Sequence, residues 1–277
     1  MHRHVLIVLC VLFTIRILSA QESDHNRLAV QEQLPWQISG GTELSLLPVL
    51  QGDRETILLL QPSVEMLVQN RYYASLSFPI YLRLPLSVSD LVPFTIAPGD
   101  LNLTASWIGH TNRGQHRIGI SWTIPIGISS LEAAENDTIQ TGGLLHQLDL
   151  SWQYTRYTDP VSLDLGIRLG TSIPGTLHET FYWEPLSVGL TTGATILMNR
   201  WIALVGSLSQ SLSLPPRLGN QWGTDTLLYQ ARLGSGLWYT DRRHSFGMEL
   251  SRDMANPLAG LSISVRYFYT VKPKQPH

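Results

Sequence analysis

Along most of this chain the apolar residues recur at every second position. In residues 72–86, Tyr72, Ala74, Leu76, Phe78, Ile80, Leu82, Leu84 and Leu86 form one face. Tyr73, Ser75, Ser77, Pro79, Tyr81, Arg83 and Pro85 form the other. Near the C-terminus Ala259, Leu261, Ile263, Val265, Tyr267 and Tyr269 alternate with Gly260, Ser262, Ser264 and Arg266. The same period runs through His116-Ile118-Ile120-Trp122-Ile124-Ile126, Val161-Leu163-Leu165-Ile167-Leu169 and Leu227-Tyr229-Ala231-Leu233. A helix would group apolar residues three and four apart, so these segments are strands. The pattern predicts about twelve of them: 42–50, 56–67, 72–86, 100–109, 115–127, 144–157, 161–171, 185–198, 201–214, 226–240, 244–252 and 258–270. The first has the poorest alternation and is interrupted by Pro48.

Most of these segments reach the roughly 9–11 residues that a tilted strand needs to cross a bilayer, and they exceed the five or six usual in soluble sheets. From the second strand onward, short and long connections alternate until residues 253–257. Outer-membrane barrels have short periplasmic turns and longer external loops, and a soluble sandwich has no reason to keep that rhythm. In hydrocarbon every backbone N–H and C=O must be paired within the protein, so a sheet spans only if it closes. Closure puts one face against lipid and the other against the lumen, which forces the alternation. The expected fold is therefore all-β, a single transmembrane antiparallel up-and-down β-barrel of about twelve strands, with ten or eight as alternatives.

That reading sorts the polar and aromatic residues. The inward faces carry Glu65, Arg83, Arg117, Asp149, Asp164, Arg168, Arg232, Glu249 and Arg266, both signs in similar number. Of these, Arg83, Arg117, Asp149, Asp164, Arg168, Arg232, Glu249 and Arg266 are the candidate pore-lining groups. Mutual ion pairing that fills a closed lumen is the competing role for them. Trp122, Trp152, Trp201, Trp238, Tyr267 and Tyr269 are assigned to the membrane interfaces, where amphipathic rings belong. Gly189, Gly193, Gly234 and Gly236 read as positions where inward side chains must be small.

Residues 1–20, MHRHVLIVLCVLFTIRILSA, combine a short basic start, an apolar stretch and small residues before Gln21. This is the make-up of a secretory signal peptide. The division that follows is 1–20 signal peptide, 21–40 N-terminal periplasmic or lumen segment, 41–270 barrel and 271–277 C-terminal tail. The single cysteine, Cys10, lies within the signal, so disulfides cannot stabilise the exported chain. Charged residues make up only 14% of the sequence and the formal net charge is -2, without a basic stripe, which excludes nucleic acid as a partner. No run of 18 or more apolar residues follows the N-terminus and mean hydropathy is +0.03, so a bundle of membrane helices is excluded.

Three short motifs lie in the first half: Pro98-Gly99-Asp100-Leu101, Ile124-Pro125-Ile126-Gly127 and Thr141-Gly142-Gly143. Their order resembles the outer-membrane channel families related to the long-chain fatty-acid transporter and to the aromatic-compound (phenol-degradation) porins. The resemblance covers about residues 98–145, and Ile126 stands where those families favour threonine. Eight-stranded outer-membrane barrels are a competing resemblance. The resemblance implies a channel for small solutes, hydrophobic ones included, in the bacterial outer membrane, with outer-membrane lipid as its surroundings. The last strand resembles the signal read by the barrel-assembly machinery, except that the chain continues from Thr270 to His277.

Catalytic and metal chemistry is weakly represented. His110-Thr111-Asn112-Arg113-Gly114 is faintly similar to an outer-membrane phospholipase motif, but Asn112 occupies the nucleophile position, so the stretch reads as a turn. The histidines are scattered without ligand spacing. No enzyme, cofactor or metal site is expected. The expected function is an outer-membrane channel or transporter for small solutes, with a surface structural or adhesive barrel as the alternative.

Overall fold

The computed structural model describes residues 36–48, 55–85, 95–128, 141–177, 180–223, 227–241, 243–255 and 261–272. The signal peptide at 1–20, most of the 21–40 segment and tail residues 273–277 lie outside them. The elements are β1 (Trp36–Pro48), β2 (Glu55–Val68), β3 (Tyr72–Ser77), β4 (Ile80–Pro85), β5 (Thr95–Pro98), β6 (Leu101–Thr111), β7 (Gly114–Ile124), β8 (Gln147–Thr158) and β9 (Val161–Ser172). They continue as β10 (Gly175–Leu177), β11 (Thr180–Trp183), β12 (Ser187–Leu197), β13 (Ile202–Ser213), β14 (Arg217–Leu218), β15 (Gln221–Trp222), β16 (Leu228–Thr240), β17 (His244–Asp253) and β18 (Leu261–Val271).

Closure is made by β1, which pairs antiparallel with both β18 and β2. Leu44 lies opposite Val265 on one side and Leu60 on the other. β3 and β4 share β2 as partner, β3 along Ser63–Val68 and β4 along Glu55–Leu60, so together they form one staggered stave. β5 and β6 do the same against β4 and β3. With β10, β11, β14 and β15 in a separate small sheet, the ring has twelve staves, as the alternation predicted. The ring starts earlier than expected. β1 begins at Trp36, so residues 36–40 are wall and not a separate segment. The Gly40-Gly41-Thr42 stretch hides the alternation in the sequence, yet pairing on both sides fixes it as strand.

The two interrupted staves break at Phe78-Pro79 and Gly99-Asp100. Proline has no N–H for the ladder. Two substitute bonds close the gap, Phe78 N–H to Pro62 O at 3.1 Å and Gly99 N–H to Pro79 O at 2.7 Å. A side chain on Gly99 would collide with the Pro79 and Tyr81 rings, so the crossing needs glycine there.

The faces are those of a membrane protein. Outward Ile120, Leu150, Val64 and Leu233 are more than half exposed, whereas inward Ser39, Ser63, Ser77, Thr155, Ser162 and Ser264 are buried. A soluble domain does not show so much contiguous apolar surface, whereas the outward face of a transmembrane barrel does. Apolar side chains also turn inward in places. Leu67, Tyr73 and Ile108 cluster near the end that carries the short turns, and Leu59, Tyr81 and Ala97 line up across β2, β4 and β5 toward the other end.

The three motifs found in sequence meet in space. The Asp100 carboxylate accepts hydrogen bonds from the backbone N–H groups of Ile126 (3.1 Å), Gly127 (3.0 Å) and Gly143 (2.7 Å). Thr141 donates its hydroxyl to Pro98 O and accepts from Ile128 N–H at 2.9 Å. A side chain on Gly142 would run into the Asp100 carboxylate and the Gly127 backbone, which explains the small residues around this clasp. Asp100→Ala strands three amide donors at once. Because each unmet buried donor costs about 1–3 kcal/mol, its urea midpoint in lipid vesicles should fall clearly, with Asp100→Asn losing less.

Candidate functional site

All eight candidate pore-lining residues lie on the inward face, and the structure ties Arg266 to Glu249 and Arg168 to Asp149. Arg266 Nε sits 2.7 Å from Glu43 Oε2, and its Nη2 lies 3.8 Å from Glu249 Oε2. Its guanidinium also lies 5.8 Å from the ring of Trp238. Arg168 grips Asp149 with two nitrogens, Nε to Oδ1 and Nη2 to Oδ2, both at 2.8 Å. Such fork-on-carboxylate pairs are the strongest form of this contact. Arg232 donates to Ser251 Oγ from Nε at 3.0 Å and from Nη2 at 2.6 Å. Thr155 donates to Asp164 at 2.7 Å, and Arg117 lies 4.0 Å over the Tyr73 ring. Arg83 stands on the inward side of β4 beside Tyr81, half-buried.

Glu43 was missed from sequence, because it belongs to β1, whose alternation is weak. Tyr73 is inward, on the face with Ser75 and Ser77 where alternation put it. Trp238 corrects a sequence assignment. It is not at the lipid interface but inside the barrel, buried and laid across Gly247, opposite Ala203 and on the face of Arg232 and Thr240. Its even position in β16 puts it there, because Tyr239 and Leu237 already take the lipid side. Trp152 also differs in depth. It faces out at the middle of β8, between Ile118 and Ile167, with the His116 ring 6.1 Å away. Trp122, Trp201, Tyr267 and Tyr269 do lie near strand ends, beside His146 (5.7 Å), Tyr239 (6.5 Å), and in the last two cases His244. His110-Thr111-Asn112-Arg113-Gly114 forms the β6–β7 turn, held by His110 Nε2 against Asn70 O at 3.0 Å.

The lumen is uneven around its circumference. Along β1, β2, β3, β7 and β18 the long inward side chains Glu43, Glu65, Tyr73, Arg117 and Arg266 are buried, set among short ones such as Ser39, Ser63, Ser75 and Ser264. Along β12 and β13 the inward residues are short, Gly189, Thr191, Gly193, Ser207 and Ser209, and on β9 Gly166 lies between Asp164 and Arg168; all of these are partly accessible. Gly189 opposes Arg168 on one side and Ser211 on the other, and Gly193 opposes Asp164 and Ser207. A hydroxylated, low-relief stretch of wall on β12 and β13, flanked by the charged side chains of β9, thus shares the lumen with the buried Glu43–Arg266 pair. Short side chains leave room for water, and their hydroxyls and peptide groups can hydrogen-bond a passing solute.

This wall ends under a cap. At the end away from the short turns, β10, β11, β14 and β15 form a four-stranded sheet contributed by the connections after β9 and β13. Beneath it is a cavity of about 160 Å³, lined by Pro185, Leu186, Leu214, Pro216 and Leu228 and by a polar group of Gln147, Asp149, Arg168, Tyr182 and Glu184. Ser172 fixes Glu184 at this spot: its N–H donates to Glu184 O at 3.0 Å, and its hydroxyl accepts from Glu184 N–H at 2.9 Å. The Glu184 carboxylate accepts from Tyr182 OH at 2.9 Å and from Gln147 Nε2 at 3.3 Å. Burial pushes the Glu184 carboxyl above its ordinary pKa, and those two hydrogen bonds pull it part of the way back. Burial raises the Tyr182 phenol as well, and the neighbouring Glu184 charge raises it further. Glu184 and Tyr182 gave no sequence signal, since they sit in what reads as a connecting loop.

No protein-family model matches the chain, and no curated protein does. Solved structures do match its fold. An outer-membrane channel from Pseudomonas putida F1 superimposes with a TM-score of 0.64 at 12% identity, covering 87% of this chain and 97% of that one. The NanC porin follows with a TM-score of 0.51 at 10% identity, covering 86% and 100%. At such identities the likeness is one of fold.

Proposed function

We propose that the chain is an outer-membrane channel for small solutes, with the passage running along the short side chains of β9, β12 and β13. The observation that carries this reading is that Gly166, Gly189, Gly193, Ser207 and Ser209 keep one stretch of the lumen low, while the neighbouring Arg168 and Asp149 on β9 and β8, and Arg266 and Glu43 on β18 and β1, are tied to each other in pairs. Twelve staves give a ring between filled eight-stranded barrels and open sixteen-stranded porins, so one narrow passage beside a packed wall suits its girth. The short turns then lie in the periplasm and the cap faces outside. The fold shared with an outer-membrane channel and a porin supports the same placement. Hydrophobic solutes fit the resemblance of the 98–145 motifs, and β18 is the strand that the barrel-assembly machinery would engage. No catalytic step is part of this reading.

Purified protein in planar bilayers should give discrete conductance steps. Ser209→Trp, which drops an indole onto the low wall, should cut the step several-fold, while Leu212→Trp on the lipid side should leave it unchanged. A second reading, a structural or adhesive surface barrel, draws on the buried ion pairs and the cap over the mouth. A silent bilayer with a folded barrel would decide for it.

A further inference from the structure

The cavity under the cap has a charge pattern that selects its occupant. Among the charged side chains lining it, Asp149 and Glu184 are acidic and Arg168 is basic, so two negative charges face one positive. Asp149 and Arg168 satisfy each other through two 2.8 Å hydrogen bonds. Among the described residues, Glu184 meets neutral donors only, Tyr182 and Gln147. A buried carboxylate without a cation is costly, and a positively charged ligand removes that cost while gaining a charge-assisted hydrogen bond. The rest of the lining includes Pro185, Leu186, Leu214, Pro216 and Leu228, which offer an apolar surface. The volume of about 160 Å³ matches what a six-membered ring needs, since a dry cavity of roughly 150 Å³ accepts benzene.

We propose that this cavity is a binding site for a small organic cation, a primary ammonium on a compact apolar body, with Glu184 as the charge partner and the Pro185–Leu214–Pro216 side holding the body. The proposal rests on reading the barrel as a channel, and it names the solute class that the outer mouth selects. The cavity adjoins the low wall of Gly189, Thr191 and Gly193 through Ser187 and Gly170, so a bound cation is already at the head of the passage.

The test is calorimetric titration of the full-length barrel in nonionic detergent with cyclohexylammonium, cyclohexanol and cyclohexanecarboxylate. Cyclohexylammonium should bind saturably, one per barrel, and at least tenfold more tightly than the alcohol, while the carboxylate should not bind. Glu184→Gln should weaken the ammonium at least tenfold without lowering the unfolding midpoint, because it removes an uncompensated charge and keeps the hydrogen-bonding shape. Leu214→Trp, which fills the cavity from the apolar side, should abolish binding and serves if Glu184→Gln fails to fold. Equal binding of the alcohol, unchanged binding in Glu184→Gln, or no ammonium binding in a folded barrel overturns the site. Bilayer recordings separate the two readings. Conductance without ammonium binding removes the site and leaves the channel, whereas ammonium binding by a silent barrel removes the channel and leaves the site.

Discussion

Arg266→Met should lower the stability of the barrel by about 3–5 kcal/mol, the usual loss when one member of a buried ion pair is removed. Arg266 is buried, and its guanidinium stands between Glu43 at 2.7 Å and Glu249 at 3.8 Å. Taking the cation away leaves two carboxylates facing each other with little water to screen them. The loss should be visible as a lower urea midpoint in lipid vesicles and an earlier shift of the folded band on semi-native gels. Adding Glu43→Gln to Arg266→Met should recover part of it, because one of the stranded charges disappears. If the single variant unfolds within about 0.5 kcal/mol of the parent, the size expected of an exposed pair, then water reaches this wall freely and the packed half of the lumen is an error.

Ile120→Arg should cost about 2–4 kcal/mol, the range for a basic residue at the bilayer midplane on the lipid face of a barrel. Ile120 points outward in the middle of β7, opposite Ala105 and Leu150, and is 55% exposed. Ile126 also points outward but lies beyond the end of β7, so Ile126→Arg should cost only about 0–1 kcal/mol, as expected near an interface. Urea titration of both variants in vesicles gives the comparison directly. Equal effects at the two depths would mean that this face does not look into a bilayer.

Both variants depend on which side of the wall a residue occupies, and that was legible before any coordinates. Tyr72, Ala74, Leu76 and Ser75, Ser77 fall on the faces that alternation assigns them, because a strand has only two sides. The ring of twelve staves followed from strand number and the rhythm of short and long connections. Charged residues at inward positions, Arg117, Asp149, Arg168, Arg232 and Arg266 among them, were legible for the same reason. Trp238 shows the limit of reading by residue type: its amphipathic ring suggested an interface, while its parity in β16 already placed it inside. The start of β1 at Trp36 was hidden because Gly40 and Gly41 erase the contrast between faces.

The amino-acid order by itself therefore determined the period, the sidedness and the closure, since each is set by backbone geometry and by the need to pair peptide groups in hydrocarbon. Partners across the ring were decided only in three dimensions. Glu43 and Arg266 are separated by most of the chain, and their contact exists because the first and last staves close on each other. The clasp of Asp100 on Gly127 and Gly143, and the cavity that sets Glu184 under the cap, arise likewise where connections from different staves meet. A period of two carries no information about loops, so their chemistry waits on the fold.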